Sequence, residues 1–246
     1  MQKSAPRRDV SGDITSTNTV PTTRRVAFIA GFSGNYNYCA SGAERKMVEL
    51  TVKERQQKIA KACNASDALE SLSEMFSYTR DDFRVRLRAW RKAEIPQKTL
   101  KWAIKLAERN VGPFYSSCSL GWQPKIKQAD LNKHWARYLI AYTEDGGDPV
   151  AYCMFRFDMD HGRSVLYCYE AQLEESARRK GLGSHMMRIL ECAAAQWHME
   201  KVVLTVLKNN PSGMNFFRKI GYSTDETSPG REESAPYEIL SKDISA

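Results

Sequence analysis

The chain has 246 residues with a net charge of +8, from 37 basic and 29 acidic side chains, and 42% of it is hydrophobic with 10% aromatic. That length and apolar share exclude a wholly disordered chain and provide for one fair-sized domain with extensions. The six cysteines (Cys39, Cys63, Cys118, Cys153, Cys168, Cys192) and the histidines His134, His161, His185 and His198 show no metal or C-x-x-C spacing. A metal site and a disulfide framework are therefore disfavoured, and a reducing cytosolic or nuclear compartment is expected. No apolar run approaches the roughly 18 residues of a membrane span. The basic balance suits an anionic ligand without identifying one.

Residues 1–43 are rich in Ser, Thr, Gly and Asn, with arginine pairs at Arg7-Arg8 and Arg24-Arg25, and are expected to be a disordered extension. An alternative start at Met47 is compatible with the sequence. Residues 44–82 read as a helical segment packed on the main domain. Glu44 to Asn64 carries a thin stripe of Met47, Leu50, Val52, Ile59 and Cys63, too little for a stable isolated helix. Ser66 to Phe76 reads as a second, short helix, with Leu69, Leu72 and Met75 three apart.

The main domain is placed at 83–246. Phe83 to Trp90 alternates apolar residues with Arg84, Arg86 and Arg88, the pattern of a strand with one wet, basic face. Thr99 to Val111 reads as a helix stopped by Gly112-Pro113, and Phe114 to Trp122 as an aromatic loop. Three strands follow. Trp135 to Tyr142 ends in the turn Glu144-Asp145-Gly146-Gly147-Asp148, Pro149 to Met159 ends in Asp160-His161-Gly162, and Val165 to Leu173 comes third. An antiparallel meander of this kind belongs to a mixed α/β (α+β) sheet and not to a doubly wound one.

The third strand runs into Arg178-Arg179-Lys180-Gly181-Leu182-Gly183, and Leu182, Met186, Ile189, Leu190, Ala193, Ala194 and Trp197 then recur on one helix face. A basic turn opening a helix, with two residues lacking a Cβ, lets a diphosphate approach free backbone N–H groups. The spacing fits neither the dinucleotide-binding glycines nor a nucleotide P-loop. After a short buried strand, Lys201 to Leu207, Asn210 caps a helix with Pro211 in its first turn, Phe216, Phe217 and Ile220 on its inner side, and Gly221 at its end. An exposed loop, 223–235, leads to a closing strand, Pro236 to Lys242.

The motif R-x-x-G-x-G, followed by a strand and then N-x-x-G-x-x-F-F-x-x-x-G-Y, resembles the two signatures of the GNAT superfamily of N-acetyltransferases, over about Phe83 to Lys242. Tyr152 to Asp158 (YCMFRFD), Val165 to Glu174 (VLYCYEAQLE), Leu204 to Lys208 (LTVLK) and Tyr237 to Leu240 (YEIL) resemble, within that superfamily, the N-terminal acetyltransferase D (NatD) group. The resemblance implies the GNAT fold, a mixed and mostly antiparallel central sheet flanked by helices, with an N-terminal helical extension. It implies acetyl-coenzyme A as co-substrate and no metal. The implied activity is direct attack, through a tetrahedral intermediate, by the N-terminal α-amine of histone tails of types four and two-A, which begin Ser-Gly-Arg-Gly. No membrane and no direct nucleic-acid readout are expected, and a monomer of the nucleus and cytoplasm is. A lysine or small-amine acetyltransferase of the same fold, or a non-catalytic histone-binding protein, stays open as the alternative.

By the same resemblance Arg179, Lys180, Gly181, Leu182, Gly183 and Ser184 hold the pyrophosphate. Ala171, Gln172 and Leu173 line the pantetheine arm, the Leu173 N–H serving as oxyanion donor. Asn210 contacts the cofactor or is a plain helix cap. Glu170 is the implied base, or else a strand-end charge paired with a neighbouring arginine. An α-amine, with a reference pKa of ~7.7–8.0 against ~10.4 for lysine, needs only a modest base acting through water. Tyr115, Asp158, Tyr167, Tyr169, Thr205, Thr227 and Tyr237 are the implied peptide contacts, ordinary core packing being the other reading for the tyrosines. Strict alternation sets Glu170 opposite Tyr167 and Tyr169, so a bulge near Glu170-Ala171 is required for all three to line one site. Phe217 stands where many acetyltransferases have a tyrosine that protonates the leaving thiolate, and Leu120 stands where an aromatic is expected in the NatD loop.

Overall fold

The computed structural model describes residues 50–145, 147–230 and 232–244. The extension 1–43, Met47, Gly146 and the start of the helix expected from Glu44 lie outside them. Eight strands form one sheet: β1 (Ser77–Arg80), β2 (Phe83–Arg91), β3 (Arg137–Thr143), β4 (Pro149–Asp160), β5 (Arg163–Leu173), β6 (Lys201–Leu207), β7 (Ser223–Thr224) and β8 (Tyr237–Asp243). Their order is β1-β2-β3-β4-β5-β6-β8-β7. The β5–β6 pair is parallel and every other pair antiparallel. The α-helices among the described residues are α1 (Val52–Asn64), α2 (Gln97–Ser116), α3 (Pro124–Leu131), α4 (Leu182–Gln196) and α5 (Pro211–Lys219).

Two apolar layers sandwich the sheet. One joins Leu139, Phe155, Leu166 and Leu204 to Met186, Ile189, Leu190 and Ala193 of α4 and to Phe216 and Phe217 of α5. The other joins Tyr138, Tyr152, Tyr167 and Val203 to Leu100, Ala103, Leu106 and Ala107 of α2. The two sides of β4 thus read as alternate residues, Cys153, Phe155 and Phe157 against Tyr152 and Met154, as a pleated strand buried on both faces requires.

Polar anchors dock α1 on this sheet. A capping box of Thr51 and Glu54 starts it, later than the sequence pattern suggests. Arg137 Nη2 donates to the carbonyls of Ala62, Cys63 and Ala65, satisfying the C-terminal end. Arg55 grips the Glu200 carboxylate at 2.8 and 2.9 Å.

Four local expectations are corrected. The short helix is a 3-10 turn, Glu70–Phe76, and the segment 44–82 also supplies β1 to the sheet, so it is not wholly helical. Helix α2 passes through Gly112-Pro113 and ends at Ser116. A proline so near the last turn removes one helical bond, and the burial of Tyr115 holds the turn in place. Phe114 to Ser116 are therefore helical and not loop. Helix α3, invisible to apolar periodicity, buries Lys127 and Leu131 and leaves Ile126 exposed. The arginine face of β2 is as expected: Arg84, Arg86 and Arg88 are exposed while Val85 and Leu87 are buried. Among the described residues no helix is long and apolar enough to cross a membrane.

Candidate active site

The parallel ladder of β5 and β6 runs from Val165 opposite Lys201 to Cys168 opposite Leu204 and stops there. Beyond it β5 follows β4 and β6 follows β8, so the two strands part. At the same level β5 bulges. Met154 faces Glu170 and Phe155 faces Cys168, which leaves Tyr169 as the extra residue, one position earlier than the sequence suggests. Cys168 and Ala171 pack toward α4, whereas Tyr167, Tyr169 and Glu170 all face α2 and α3. The Glu174 N–H donates to the Val150 carbonyl at 2.8 Å, so antiparallel alternation directs the backbone groups of Ala171 and Leu173 away from β4, toward the parting. The Leu173 carbonyl accepts from Asn110 Nδ2 at 3.0 Å and Arg178 Nε at 3.3 Å.

The loop after β5 delivers its basic residues to the start of α4. Arg179 (φ 60°) and Gly181 (φ 81°) are left-handed, and Gly181 stands at the N-cap, where no side chain caps the helix. The first-turn N–H groups of Leu182, Gly183 and Ser184 therefore have no intrahelical acceptor, and the Arg179 and Lys180 side chains beside them are exposed. This corner is braced from the N-terminal segment. Tyr78 Oη donates to the Lys180 carbonyl at 2.6 Å, His185 Nε2 stands 2.7 Å from the Met75 carbonyl, and Lys180 Nζ lies 4.5 Å over the Phe83 ring. Across the parting, Asn210 is buried at the N-cap of α5, its Oδ1 accepting from the Gly213 N–H at 3.0 Å. The cap role is thus filled. Phe217 is fully buried against Phe216 and Tyr222 and offers no proton.

On the α2–α3 side the structure gathers Tyr115, Tyr167, Tyr169, Thr205, Tyr237 and Glu170. The Tyr167 and Tyr169 rings are 4.9 Å apart, Trp135 stacks 4.8 Å from Tyr169, and Tyr167 Oη shares a 2.6 Å hydrogen bond with Thr205 Oγ1. Tyr237 and Ile239 of β8 close the same layer. Asp158 sits lower on β4, ion-paired with Arg156 at 3.2 Å, and the Arg156 guanidinium covers Trp135 at 4.9 Å. Thr227 is committed elsewhere: its N–H and Oγ1 both donate to Asp225 Oδ1, whose other oxygen takes Lys201 Nζ at 2.6 Å. Burial raises the Asp225 carboxyl, but Lys201, Ser241 and Thr227 outweigh it and hold the pKa at about 2.

Glu170 is 3% exposed, and its partner is not an arginine. Lys127 Nζ, reaching in from α3, ion-pairs with Oε1, and Gln172 Nε2 donates to Oε2 at 2.9 Å. Burial pulls the Lys127 ammonium down, but Glu170 and Tyr115 more than reverse it, leaving the pKa raised. Burial likewise pushes the Tyr115 phenol up. The chain of contacts continues from Gln172 to Asn110 and from Asn110 to Arg178. Sequence reasoning missed Lys127, Asn110, Arg178 and Trp135. Lys127 left one signal, its place four residues before the buried Leu131 on a proline-started helix.

Parallel strands that part beside a basic, uncapped helix start suit an acyl transferase fed by a coenzyme A thioester, and the residues present fit that carrier. The sequence model of the acetyltransferase (GNAT) family matches residues 98–222, and the chain belongs to that family. Acetyl-coenzyme A is the family's acyl donor. Among the described residues no group of three or more His, Cys, Asp or Glu is placed to hold a metal. Similar solved structures include the GNAT domain of S. lividans PAT (14% identity over 68% of this chain and 96% of that one, TM-score 0.51). The ribosomal-protein-S18-alanine N-acetyltransferase of Escherichia coli is 13% identical over 66% and 95% (TM-score 0.46). Arabidopsis thaliana NAA60, solved with a bisubstrate analogue, is 10% identical over 65% and 98% (TM-score 0.47). The likeness to the first of these is one of fold.

Proposed function

We propose that this acetyltransferase acts on the N-terminal α-amine of histone tails of types four and two-A, which begin Ser-Gly-Arg-Gly, as the NatD group that its strands resemble does. The observation that carries this reading is the bulge at Tyr169, which turns Tyr167, Tyr169 and Glu170 to one face beside the parted strands. Acetyl-coenzyme A supplies the activated acyl carbon. Arg179, Lys180 and the N–H groups of Leu182, Gly183 and Ser184 bind the diphosphate, and the Ala171 and Leu173 backbone aligns the arm. The Leu173 N–H is directed to the side where negative charge develops on oxygen. Glu170 receives the proton that the amine loses on attack, through a water. Tyr115, Tyr167, Tyr169, Thr205 and Tyr237 seat the first residues, while Asp158 answers the arginine at the third position. Such a substrate places the enzyme in the nucleus and cytoplasm.

The test is mass spectrometry after incubation with acetyl-coenzyme A and one of three acceptors: a Ser-Gly-Arg-Gly peptide, the same peptide with its amine blocked, and a polyamine. The reading requires one acetyl group on the free peptide and none on the blocked one. Acetylation of the polyamine alone makes this a small-amine enzyme, and histone binding without any transfer makes it a binding protein.

A further inference from the structure

The carboxylate given the amine's proton already carries a cation of the protein's own. Lys127, 8% exposed, reaches it from α3 and stands 3.4 Å from Tyr115 Oη. The groups facing Glu170 come from every neighbouring element: Lys127 from α3, Tyr115 from α2, Tyr138 from β3, Tyr152 from β4 and Cys168 from β5 itself. Burial pushes the phenols toward their neutral forms, the hydrogen bond with Cys153 and then burial do the same to the Cys168 thiol, and Asp130, further along α3, acts on Tyr115. Lys127 is thus the one cation among them. Removing the cation from a buried ion pair leaves an uncompensated charge, which burial disfavours.

We propose that Lys127 is a positioning residue for acetyl transfer, holding the Glu170 carboxylate charged and fixed in orientation at the bulge of β5. This rests on the reading of Glu170 as the proton acceptor. A carboxylate offers about four acceptor positions, and Lys127 and Gln172 take two. The remaining ones receive the amine's proton through water, the ammonium of Lys127 keeping its own. An α-amine, whose neutral fraction near pH 7 far exceeds that of lysine, asks only a modest acceptor.

The experiment follows kcat/KM for the Ser-Gly-Arg-Gly peptide against pH in the wild type, Lys127→Met and Lys127→Arg. The acid limb is expected to move up by about one pH unit or more in Lys127→Met and to stay near the wild-type position in Lys127→Arg. Coenzyme A affinity, by calorimetry, is expected to change less than about twofold, since the pyrophosphate corner is untouched. A lower rate with the limb unmoved overturns the proposal, because packing alone produces that. If Lys127→Met does not fold, Lys127→Gln, which keeps a donor, takes its place. Carboxyl 13C NMR of Glu170 decides without turnover: the signal must titrate at higher pH in the uncharged variant, and an unchanged titration overturns the proposal. A wild type that leaves the peptide unacetylated counts against the substrate reading, while the NMR titration still judges Lys127.

Discussion

Arg178 Nη2 donates to Asn110 Oδ1 at 2.7 Å, and the Asn110 amide donates onward to Gln172 Oε1 and to the Leu173 carbonyl, both at 3.0 Å. Since Gln172 in turn holds Glu170, one hydrogen-bonded chain joins the loop proposed to grip the cofactor to the carboxylate proposed as proton acceptor. The first arginine of the R-x-x-G-x-G motif is therefore an anchor that ties the loop back to α2.

Asn110→Ala breaks that chain and leaves the buried Gln172 amide without its donor. A stability loss of about 1–3 kcal/mol is expected. Coenzyme A affinity should fall by about tenfold, or ~1.4 kcal/mol, as the loop loses its tether. Thermal melts and calorimetric titration measure the two effects separately.

At the N-cap of α4 a side chain is out of place. Gly181→Ala forces a Cβ into a backbone with φ 81°, at a cost of about 1 kcal/mol, and weakens coenzyme A binding at the same corner. Gly230→Ala, where an added Cβ meets only open space, is the control and should leave the melting temperature unchanged.

Much of this was legible beforehand, for identifiable reasons. The meander, the short buried strand β6 and the apolar face of α4 are written in alternation, in apolar runs and in spacings of three and four, which burial enforces. A bulge near Glu170-Ala171 is expected too, because Glu170 stands at the opposite parity to Tyr167 and Tyr169 and the resemblance sets all three on one face; it falls one residue earlier, at Tyr169. What could not be read were features set by partners distant in sequence. Lys127 looks like any solvated helix lysine until Glu170, 43 residues on, is placed against it. Asn110 and Arg178 are likewise 68 residues apart, and α2 outruns its proline because Tyr115 is buried. Strand β1 is four residues long, too short for a pattern.

Acid should unfasten α1 and the β7–β8 loop together. Burial raises the Glu200 carboxyl, but Arg55, Ser164 and Arg163 outweigh it and hold the pKa at about 2, below an ordinary glutamate; Asp225 is held at about 2 as well. A depressed folded-state pKa means stability that is complete above the unfolded value near ~4 and lost as pH falls through about 2. Glu200→Gln is expected to flatten the stability curve over that window, and urea melts at stepped pH measure it. A curve as steep as the wild type's would remove Glu200 from the explanation.

The Lys127–Glu170 pair should show strong coupling in stability as well. Glu170→Gln and Lys127→Met each strand a buried charge, at a cost of about 3–5 kcal/mol. The double variant removes both charges and should recover about 0.5–3 kcal/mol relative to the sum, as chemical denaturation would show, while acetylation stays lost in Glu170→Gln and in the double.

Calorimetric titration of the purified protein with coenzyme A is the most direct measurement of all. The account predicts saturable binding at one site per chain, weakened when Arg179 and Lys180 are replaced by alanine. A flat titration, or binding indifferent to those two replacements, would contradict it.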